Sequence, residues 1–379
     1  MRRSPRPPCD EGRRSGELRR VCNDGKDRDA CRVCEPRGDS NVRRDGDAGK
    51  GRNTRGDCYV REDRDACGDC DTRNARNDAE ACDAHEPCKA GRGGCRPIAT
   101  LAEWRAQRPT WCPGCGDFAV LASLQRALTA VGADPASTVL VGGIGCSGKI
   151  AGYIGCYGFH GLHGRALPVA TGVKLANRSL TVVAAGGDGD GYGIGLGHLL
   201  HTVRRDPDLT YIVMDNHVYG LTKGQASPTT DPAPASTPGG VHDRPVHPLL
   251  LALASGGTFV AQAFSGNVNH MADVIERGLR HPGFALVNVF SPCVTYNKVN
   301  TYEFYRDHLT YLGDDYAPDD RERAMATVAR YNDLVCGVLY EEHGTASLDR
   351  RLLGESSTPI AQQDLAAARG WERILERYA

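Results

Sequence analysis

The sequence predicts an α/β protein whose mostly parallel sheet is covered by helices on both faces. Short apolar runs of the β type alternate, over residues 97–300, with longer runs of helical periodicity. The apolar runs are nearly continuous, which is typical of strands buried on both faces of a parallel sheet. A glycine-rich turn follows the run TVVAA and leads into a predicted helix, as expected of a strand–loop–helix unit.

The predicted elements follow in chain order. The strands are STVLVGGIG, SLTVVAAGG, LTYIVMDN and GFALVNVF, at residues 137–145, 179–187, 209–216 and 283–290. The helices are FAVLASLQRALTAV, YGIGLGHLLHTVRR and VNHMADVIERGLR, at residues 118–131, 192–205 and 268–280. We expect residues 301–379 to form a C-terminal helical segment and tail. Ligands of such sheets bind beyond the carboxyl ends of the strands, so the loops that follow the strands are where functional residues are expected.

The composition argues against two classes of partner. A net charge of −1 over 379 residues gives no reason to expect a nucleic-acid or membrane partner. No apolar run reaches the ~18 residues of a membrane span; the run LLLALASGGTFVAQAF is shorter and is interrupted by polar residues. The N-terminus lacks the apolar segment of a signal peptide. We therefore expect a cytoplasmic protein.

Residues 1–96 differ in composition from the rest of the chain. Basic and acidic residues are abundant there in nearly equal numbers, and large apolar side chains are few. The small apolar area of this segment cannot offset the conformational entropy lost on folding. We therefore expect either a disordered extension or a start codon assigned too far upstream. Two similar stretches, DRDACRVC and DRDACGDC, supply CxxC pairs that could bind zinc or a cluster. Their flanks carry no hydrophobic framework, which argues against a folded metal site.

The loop GGDGDGYG, at residues 186–193, has the features of a phosphate site. Its glycines let the backbone approach a ligand closely, and a predicted helix begins behind it. Asp188 and Asp190 would repel the pyrophosphate of a dinucleotide unless a cation lay between them. Asn216 ends the next predicted strand, and carboxylate and amide oxygens are ligands that Mg²⁺ prefers. The loop indicates a phosphate bound through Mg²⁺, with a tight turn bearing solvated aspartates as the alternative.

Several long motifs resemble one family. GDG followed by an asparagine after the next strand resembles the thiamine diphosphate motif of thiamine-dependent enzymes. Three further motifs are similar to the beta subunit of 2-oxoacid:ferredoxin oxidoreductases, in that family's order. They are GIGCSGKIAGY (143–153), YGFHGLHGRALPVATGVKLAN (157–177) and DNHVYGLTKGQASPTT (215–230). The resemblance covers about residues 98–342 and implies a thiamine diphosphate-binding domain over residues 97–300, whereas residues 1–96 have no counterpart in the family.

The resemblance implies roles for individual residues. Asp188 and Asn216 would be the side-chain ligands of Mg²⁺, with the carbonyl of Val218 as a third ligand. The residues along thiamine diphosphate would be Ile144, Gly145, Cys146, Ser147, His163, Gly164, Gly189, Asp190, Gly220 and Leu221. Lys149 could pair with a substrate carboxylate, with a solvated lysine as the alternative. Thr222 and Lys223 are weaker candidates of the same kind that could close over the phosphates.

Cysteines form a second set of candidate ligands. In a reducing compartment, clustered cysteines bind metal or do chemistry more often than they form disulfides. In the family that the chain resembles, four cysteines hold one [4Fe–4S] cluster near the thiamine. They match Cys112 and Cys115 in WCPGCG, Cys146 in GIGCSG and Cys293 in SPCVTYN. Thiolates are the usual ligands of such clusters, and the glycine and proline residues around them leave backbone N–H groups free to bond the sulfurs.

Two alternatives exist for these cysteines. Four thiolates could bind Zn²⁺, and a CxxC pair could be a thioredoxin-like redox motif. Zinc cannot accept electrons, however, and a thioredoxin motif needs no third and fourth cysteine. We interpret Cys156 and Cys336 as ordinary thiols.

The function that the resemblance implies is oxidative decarboxylation of a 2-oxoacid with coenzyme A as acyl acceptor. Electrons would pass through the cluster to ferredoxin. The GCSGK and YGFHGLHGR versions of the motifs favour 2-oxoglutarate, with pyruvate as the second candidate. No residue of the matched motifs corresponds to the glutamate that activates thiamine. An alpha subunit is therefore expected to supply that glutamate and much of the substrate site, in a hetero-oligomer.

Two other functions are alternatives to this oxidoreductase activity. A thiamine-dependent decarboxylase or synthase subunit without a cluster is one alternative, but such chains usually carry both thiamine-binding domains. A zinc-dependent nucleic-acid-binding protein built on the N-terminal cysteines is the other. The balanced charge of that region argues against the second alternative.

Overall fold

Eight strands form one sheet in the computed structural model, which describes residues 99–232, 241–354, 358–363 and 375–376. The strands are β1 (Thr138–Gly142), β2 (Tyr157–His160), β3 (Thr181–Gly187), β4 (Leu209–Asp215), β5 (Phe259–Phe264), β6 (Phe284–Phe290), β7 (Thr310–Tyr311) and β8 (Val335–Glu341). Their order across the sheet is β2-β1-β3-β4-β6-β5-β8-β7. Neighbouring strands are parallel except for β5 and β8, which are antiparallel.

Helices cover both faces of the sheet. The α-helices of the described ranges are α1 (Asp117–Ala130), α2 (Ala166–Ala176), α3 (Leu196–Arg205), α4 (Pro248–Ala254), α5 (Val268–Arg280), α6 (Tyr302–His308), α7 (Arg321–Arg330) and α8 (Leu348–Leu353). Helices α1 and α5 pack on one face, and α2, α3, α4 and α7 pack on the other. Successive strand residues alternate between these faces, as Val182 and Val183 do in β3. The predicted fold class is confirmed.

Side chains just before three of the helices satisfy their first backbone N–H groups. Asn267, Thr301 and Asp320 precede α5, α6 and α7, and each accepts a hydrogen bond from the backbone N–H three residues further on. Such caps contribute ~1 kcal/mol each to stability. The starts of these helices are therefore encoded locally in the sequence.

Most predicted elements agree with the structure. The four predicted strands correspond to β1, β3, β4 and β6, and two predicted helices correspond to α1 and α5. The helix predicted for residues 192–205 is shorter in the structure, where α3 begins only at Leu196. Before it, Gly189–Ile194 form a π-helical turn in which the Gly195 N–H donates to the Asp190 carbonyl at 3.0 Å. Glycine favours the α-helix weakly, and here it allows the loop to pack tightly against its neighbours.

The C-terminal segment, predicted to be helical, also contains strands in its described part. β8 pairs with β5, for example at Val260 and Tyr340, and six of its seven residues are buried. Its apolar run VCGVLYE closes the sheet beyond β5 and joins β7 to it. A short buried strand and a buried helical turn have similar apolar patterns, so periodicity alone did not separate them. Helices α6, α7 and α8 make up the helical part of this segment.

Two further predictions concern the N-terminal extension and membrane-spanning segments. The extension predicted for residues 1–96, with its CxxC pairs, lies outside the described residues. Among the residues that are described, no helix combines the length and apolarity needed to cross a membrane.

The turn after β1 is packed so closely that it requires glycine. A Cβ atom added at Gly148 would lie 1.9 Å from the Gly143 carbonyl oxygen. We expect Gly148→Ala to lower the free energy of unfolding by ~1–3 kcal/mol, as overpacking does, measured by urea unfolding. Gly152→Ala is the matched control, because Gly152 lies in the same short 3₁₀-helix and its Cβ would meet no atom within 4 Å. Equal losses in the two variants would contradict this account of the turn.

Candidate active site

A cavity opens at the carboxyl ends of β1, β3 and β4. The residues predicted to line a cofactor lie around it, namely Ile144, Gly145, Cys146, Ser147, His163, Gly189, Asp190, Gly220 and Leu221, together with the predicted metal ligands Asp188, Asn216 and Val218. Gly164 is not part of the lining. Gly187 and Tyr219 line the cavity without having been predicted. The loops after three parallel strands thus meet where the sheet topology requires them to meet.

Asp188 lies at the floor of the cavity and is fully buried. Its Oδ2 accepts a hydrogen bond from Thr229 Oγ1 at 2.9 Å, and the same hydroxyl lies 2.7 Å from Asp215 Oδ1. Burial first, and the nearby Asp215 carboxylate second, raise the pKa of Asp188 to about 7. A cation bound beside Asp188 would favour its ionised form.

Asn216 and Val218 are held by a local turn. Asn216 Oδ1 accepts a hydrogen bond from the Val218 N–H at 3.1 Å, and His217 between them has a φ of 57°. The Asn216 N–H lies 3.4 Å from Asp188 Oδ1, which places the two predicted ligands beside each other. A positive φ is uncommon for residues other than glycine, so the conformation of His217 indicates a backbone that its surroundings hold in place.

The donor set of this site suits a hard cation with few protein ligands. Within the described ranges, no group of three or more His, Cys, Asp or Glu side chains could hold a metal ion. The ligands predicted for Mg²⁺ are not a group of this kind, because they are one carboxylate, one amide and one backbone carbonyl. Mg²⁺ sites in proteins commonly have one or two carboxylates and are completed by phosphate oxygens and water.

Asp190 joins three loops through a single carboxylate oxygen. Its Oδ1 accepts hydrogen bonds from the Ile144 N–H at 2.9 Å and the Gly164 N–H at 2.7 Å, and it lies 2.7 Å from His163 Nδ1. The other oxygen faces Gly143, where an added Cβ atom would lie only 2.0 Å from it. The repulsion that the sequence indicated between Asp190 and a phosphate is therefore offset by donors from two other loops.

His163 is oriented by the same contact. Its side chain is 41% exposed, it lines the cavity, and its Nδ1 faces the buried Asp190 carboxylate. A carboxylate accepts hydrogen bonds, so His163 Nδ1 is the donor in this contact. The predicted position of His163 thus has a structural reason that the sequence did not show.

The loops that carry the four predicted cluster cysteines lie beside the cavity. A Cβ atom added at Gly220 would lie 3.6 Å from Cys293 Sγ and 3.8 Å from Cys146 Sγ, so both sulfurs face this glycine. The charge of Cys293 acts on both Cys115 and Cys146, and that of Cys112 acts on Cys146. Cys146 lines the cavity, and these influences connect it with the thiols of Cys112, Cys115 and Cys293.

Hydrogen bonds fix the loops of these cysteines to one another. The Trp111 indole N–H donates to the Cys146 carbonyl at 2.7 Å, and the Gly116 N–H donates to the Pro292 carbonyl at 3.3 Å. The Cys115 N–H closes the CxxC turn on the Cys112 carbonyl at 3.0 Å. Burial raises the pKa of the Cys115 and Cys146 thiols, and the nearby Asp117 carboxylate raises both further. Coordination to a metal would offset this cost of ionisation.

Asp117 is a site residue that the sequence analysis missed. It is buried at the start of α1, and it accepts hydrogen bonds from Ser147 Oγ at 3.1 Å and Ser291 Oγ at 2.7 Å. Burial raises its pKa to about 6, against the opposing effect of these hydroxyls and of the Cys115 thiol. The signal in the sequence was an acidic residue directly after CPGCG, which also has an ordinary explanation as a first-turn helix residue.

The remaining candidates lie in different surroundings. Thr222 lines the cavity, and its hydroxyl donates to Gln225 Oε1 at 2.5 Å. Lys149 and Lys223 are not part of the lining; Lys149 lies close enough to Cys146 for its charge to lower the pKa of that thiol. Burial raises the pKa of Cys156 to about 12, and Cys336 is fully buried in β8.

Two family models match the described part of the chain. Residues 143–289 match the C-terminal TPP-binding domain of thiamine pyrophosphate enzymes. Residues 293–355 match the C-terminal region of the pyruvate ferredoxin oxidoreductase beta subunit. The first match contains every residue that lines the cavity, and the second begins at Cys293; Asp117 and the CxxC loop precede both matches.

Two relatives of known family are similar to this chain over 83% and 52% of their own lengths. The chain is 43% identical over 258 residues to 2-oxoacid:ferredoxin oxidoreductase 2, subunit beta, of Aeropyrum pernix, which covers 64% of this chain and 83% of that protein. It is 41% identical over 193 residues to 2-oxoglutarate oxidoreductase subunit KorB of Mycobacterium tuberculosis, covering 50% and 52% of the two chains.

A solved structure with the same fold comes from Magnetococcus marinus. It is a 2-oxoglutarate:ferredoxin oxidoreductase with 2-oxoglutarate, coenzyme A and succinyl-CoA bound. The TM-score is 0.67 and the identity is 38%, over 73% of this chain and 96% of that one.

Removal of the Asp190 carboxylate tests its role in joining the loops. We expect Asp190→Ala to lower the free energy of unfolding by ~2–6 kcal/mol, because two backbone N–H groups lose their acceptor at ~1–3 kcal/mol each. Urea unfolding measures this loss. Asp314→Ala removes an exposed carboxylate and is expected to change stability by less than ~0.5 kcal/mol. If both variants unfold at the same urea concentration, Asp190 does not hold the loops.

Proposed function

The chain belongs to the family of 2-oxoacid:ferredoxin oxidoreductase beta subunits, and on that premise we propose the reaction in which it takes part. With an alpha subunit, it catalyses the oxidative decarboxylation of a 2-oxoacid, with coenzyme A as acyl acceptor and ferredoxin as electron acceptor. The observation that supports this most is Cys146, because it lines the cofactor cavity and also belongs to the group of four thiols.

Thiamine diphosphate and Mg²⁺ fit the residues of the cavity. Asp188, Asn216 and the Val218 carbonyl would hold Mg²⁺, and through it the diphosphate. The lack of a side chain at Gly189 lets the Tyr219 ring pack against this loop, because an added Cβ would lie 2.2 Å from the ring. Thiamine diphosphate, when bound, supplies the electron sink for decarboxylation. Asp190 keeps the loops of His163 and Ile144 in position around it.

The four thiols are the proposed ligands of an iron–sulfur cluster, although the described cysteines are not gathered closely enough to form a site for a single metal ion. They come from three loops, and glycine at residue 220 leaves the space between Cys146 and Cys293 free of a side chain. Burial and the Asp117 carboxylate raise the pKa of the Cys115 and Cys146 thiols, and a bound cation would offset the cost of ionising these two. Cys112, Cys115, Cys146 and Cys293 would hold the [4Fe–4S] cluster, which would supply one-electron transfer toward ferredoxin.

The substrate class is the part of the proposal that rests on similarity to relatives. The names of the KorB relative and of the M. marinus structure favour 2-oxoglutarate, with pyruvate as the second candidate. We place the glutamate that activates thiamine on the alpha subunit, together with much of the substrate site. Thr222 lines the cavity, unlike the other two candidates for contact with the substrate. Lys149 and Lys223 lie outside the lining, and we keep them as weaker candidates.

The full complex tests this proposal. The chain is produced anaerobically with its alpha subunit, and iron, sulfide and thiamine diphosphate are measured in the purified complex. We expect iron and sulfide in equal amounts, and reduction of a viologen dye that depends on coenzyme A and is faster with 2-oxoglutarate than with pyruvate. A pure complex that contains zinc but no iron would contradict the proposal. Dye-independent decarboxylation without iron would favour the cluster-free thiamine enzyme instead.

Single cysteine variants test the assignment of the cluster ligands. We expect Cys112→Ser and Cys293→Ser to lose most of the iron of the complex, because serine does not replace thiolate sulfur in holding iron strongly. Iron per complex is measured by colorimetric assay, with circular dichroism as the check on folding. Cys156→Ser is the matched control and should keep its iron. Equal iron loss in Cys156→Ser and Cys293→Ser would show that the ligand set is wrong.

A further inference from the structure

The loops that carry the four thiols, together with the loop of Gly220, have charged side chains of one sign only. These segments, here called the basic loops, are residues 108–116, 143–149, 219–224 and 292–298. Their charged side chains are all basic and all exposed or half-buried, namely Arg108, Lys149, Lys223 and Lys298. The whole chain has a net charge of −1, so this excess of positive charge is local. A surface of this kind attracts a negatively charged partner.

The basic loops lie against one another. A Cβ atom added at Gly114 would lie 3.7 Å from Val294 Cγ1, which places the first of these loops beside the last. Gly220 faces the sulfurs of Cys146 and Cys293, so its loop lies beside two of the others. The basic side chains therefore belong to one continuous part of the molecule and are not scattered over it.

Exposed apolar side chains accompany these charges. Phe118 is 38% exposed and packs edge-on against Trp111, with 5.3 Å between the ring centroids. Val299 directly follows Lys298 and is 41% exposed. Protein–protein interfaces combine an apolar centre with a polar and charged rim, whereas a small anion requires no apolar area. This combination favours a protein as the partner.

Two of the basic residues lie close to the thiols in the chain but outside the thiamine cavity. Arg108 precedes the exposed Cys112 by four residues, and Lys298 follows Cys293 by five. Neither basic residue lines the cavity. A coenzyme A whose thiol reaches thiamine must enter that cavity, whereas an electron acceptor needs only to approach the thiols from outside. Electron transfer weakens steeply with distance, so an acceptor is expected to dock where the thiols are nearest to the surface.

We propose that the basic loops are the docking surface for an acidic electron-carrier protein, with Arg108 and Lys298 at its charged rim. The inference rests on the proposed function, in which ferredoxin accepts the electrons, and it adds the face of this chain on which the carrier binds. Opposite charges across an interface speed association and fix the orientation of the partner. The carrier is thereby held beside the exposed Cys112.

The test is the binding of a purified, oxidised acidic bacterial ferredoxin to the complex with its alpha subunit, measured anaerobically by biolayer interferometry at low and high salt. In the double variant Arg108→Glu/Lys298→Glu we expect the Kd to rise roughly tenfold or more at low salt, and the difference from wild type to shrink as salt screens the charges. Reduction of a viologen dye should be unchanged, because neither residue lines the cavity. Arg108→Gln/Lys298→Gln removes the charges without reversing them, and we expect a smaller rise of roughly two- to tenfold. This milder variant decides if the reversed one does not fold.

Arg204→Glu/Arg350→Glu is the matched control. It makes the same change of charge at two exposed arginines near the amino ends of the strands, away from the basic loops. Arg204 lies in the last turn of α3, just before β4, and α8, which contains Arg350, is bonded to the same connection through the Leu348 N–H and the Asp206 carbonyl. We expect the control to bind ferredoxin with the Kd of the wild type.

The outcomes separate this inference from the proposed function. An unchanged Kd in the variants of Arg108 and Lys298, or an equal rise in the control, would overturn the inference while the proposed function stands. A higher KM for coenzyme A with unchanged ferredoxin binding would assign the surface to coenzyme A. Loss of the alpha subunit from the variants on gel filtration would assign it to the contact between subunits, and either result overturns the inference. A wild-type complex that binds no ferredoxin at any salt concentration would instead contradict ferredoxin as the acceptor in the proposed function.

Discussion

Two buried carboxylates, those of Asp117 and Asp190, constrain the loops around the site. A buried carboxylate is stable only where donors surround it, and here the donors come from other loops. Ser147 and Ser291 donate to Asp117, and the Ile144 N–H is one of the donors to Asp190. The loops cannot separate without leaving a buried charge unpaired, which costs several kcal/mol.

The loop of residues 143–147 belongs to both networks, and this joins the cofactor cavity to the thiols. Ile144 is bonded to Asp190, Ser147 is bonded to Asp117, and Cys146 lies between them in the chain. The parallel sheet makes the arrangement possible, because β1, β3, β4 and β6 all end at the same edge. The sites proposed for thiamine diphosphate and for a cluster are therefore neighbours through the topology of the fold.

The apolar strands and glycine-rich loops were sufficient to predict the fold class, and the resemblance of the motifs to one family named most of the residues that line the cavity. The sequence was not sufficient for Asp117, whose partners Ser147 and Ser291 are 30 and 174 residues away. The strand β8 was missed for the same reason, since its identity depends on pairing with the distant strand β5. The π-helical turn before α3 depends on packing against Tyr219, which no local pattern indicates.

The central claim is that the cavity and the four thiols form one electron-transfer unit. The most direct test is rapid-freeze EPR of the anaerobic complex mixed with 2-oxoglutarate and coenzyme A, in the absence of ferredoxin or dye. The account predicts that the signal of a reduced [4Fe–4S] cluster appears as the 2-oxoacid is consumed. Consumption of the 2-oxoacid by an iron-containing complex with no change in the cluster signal would contradict it.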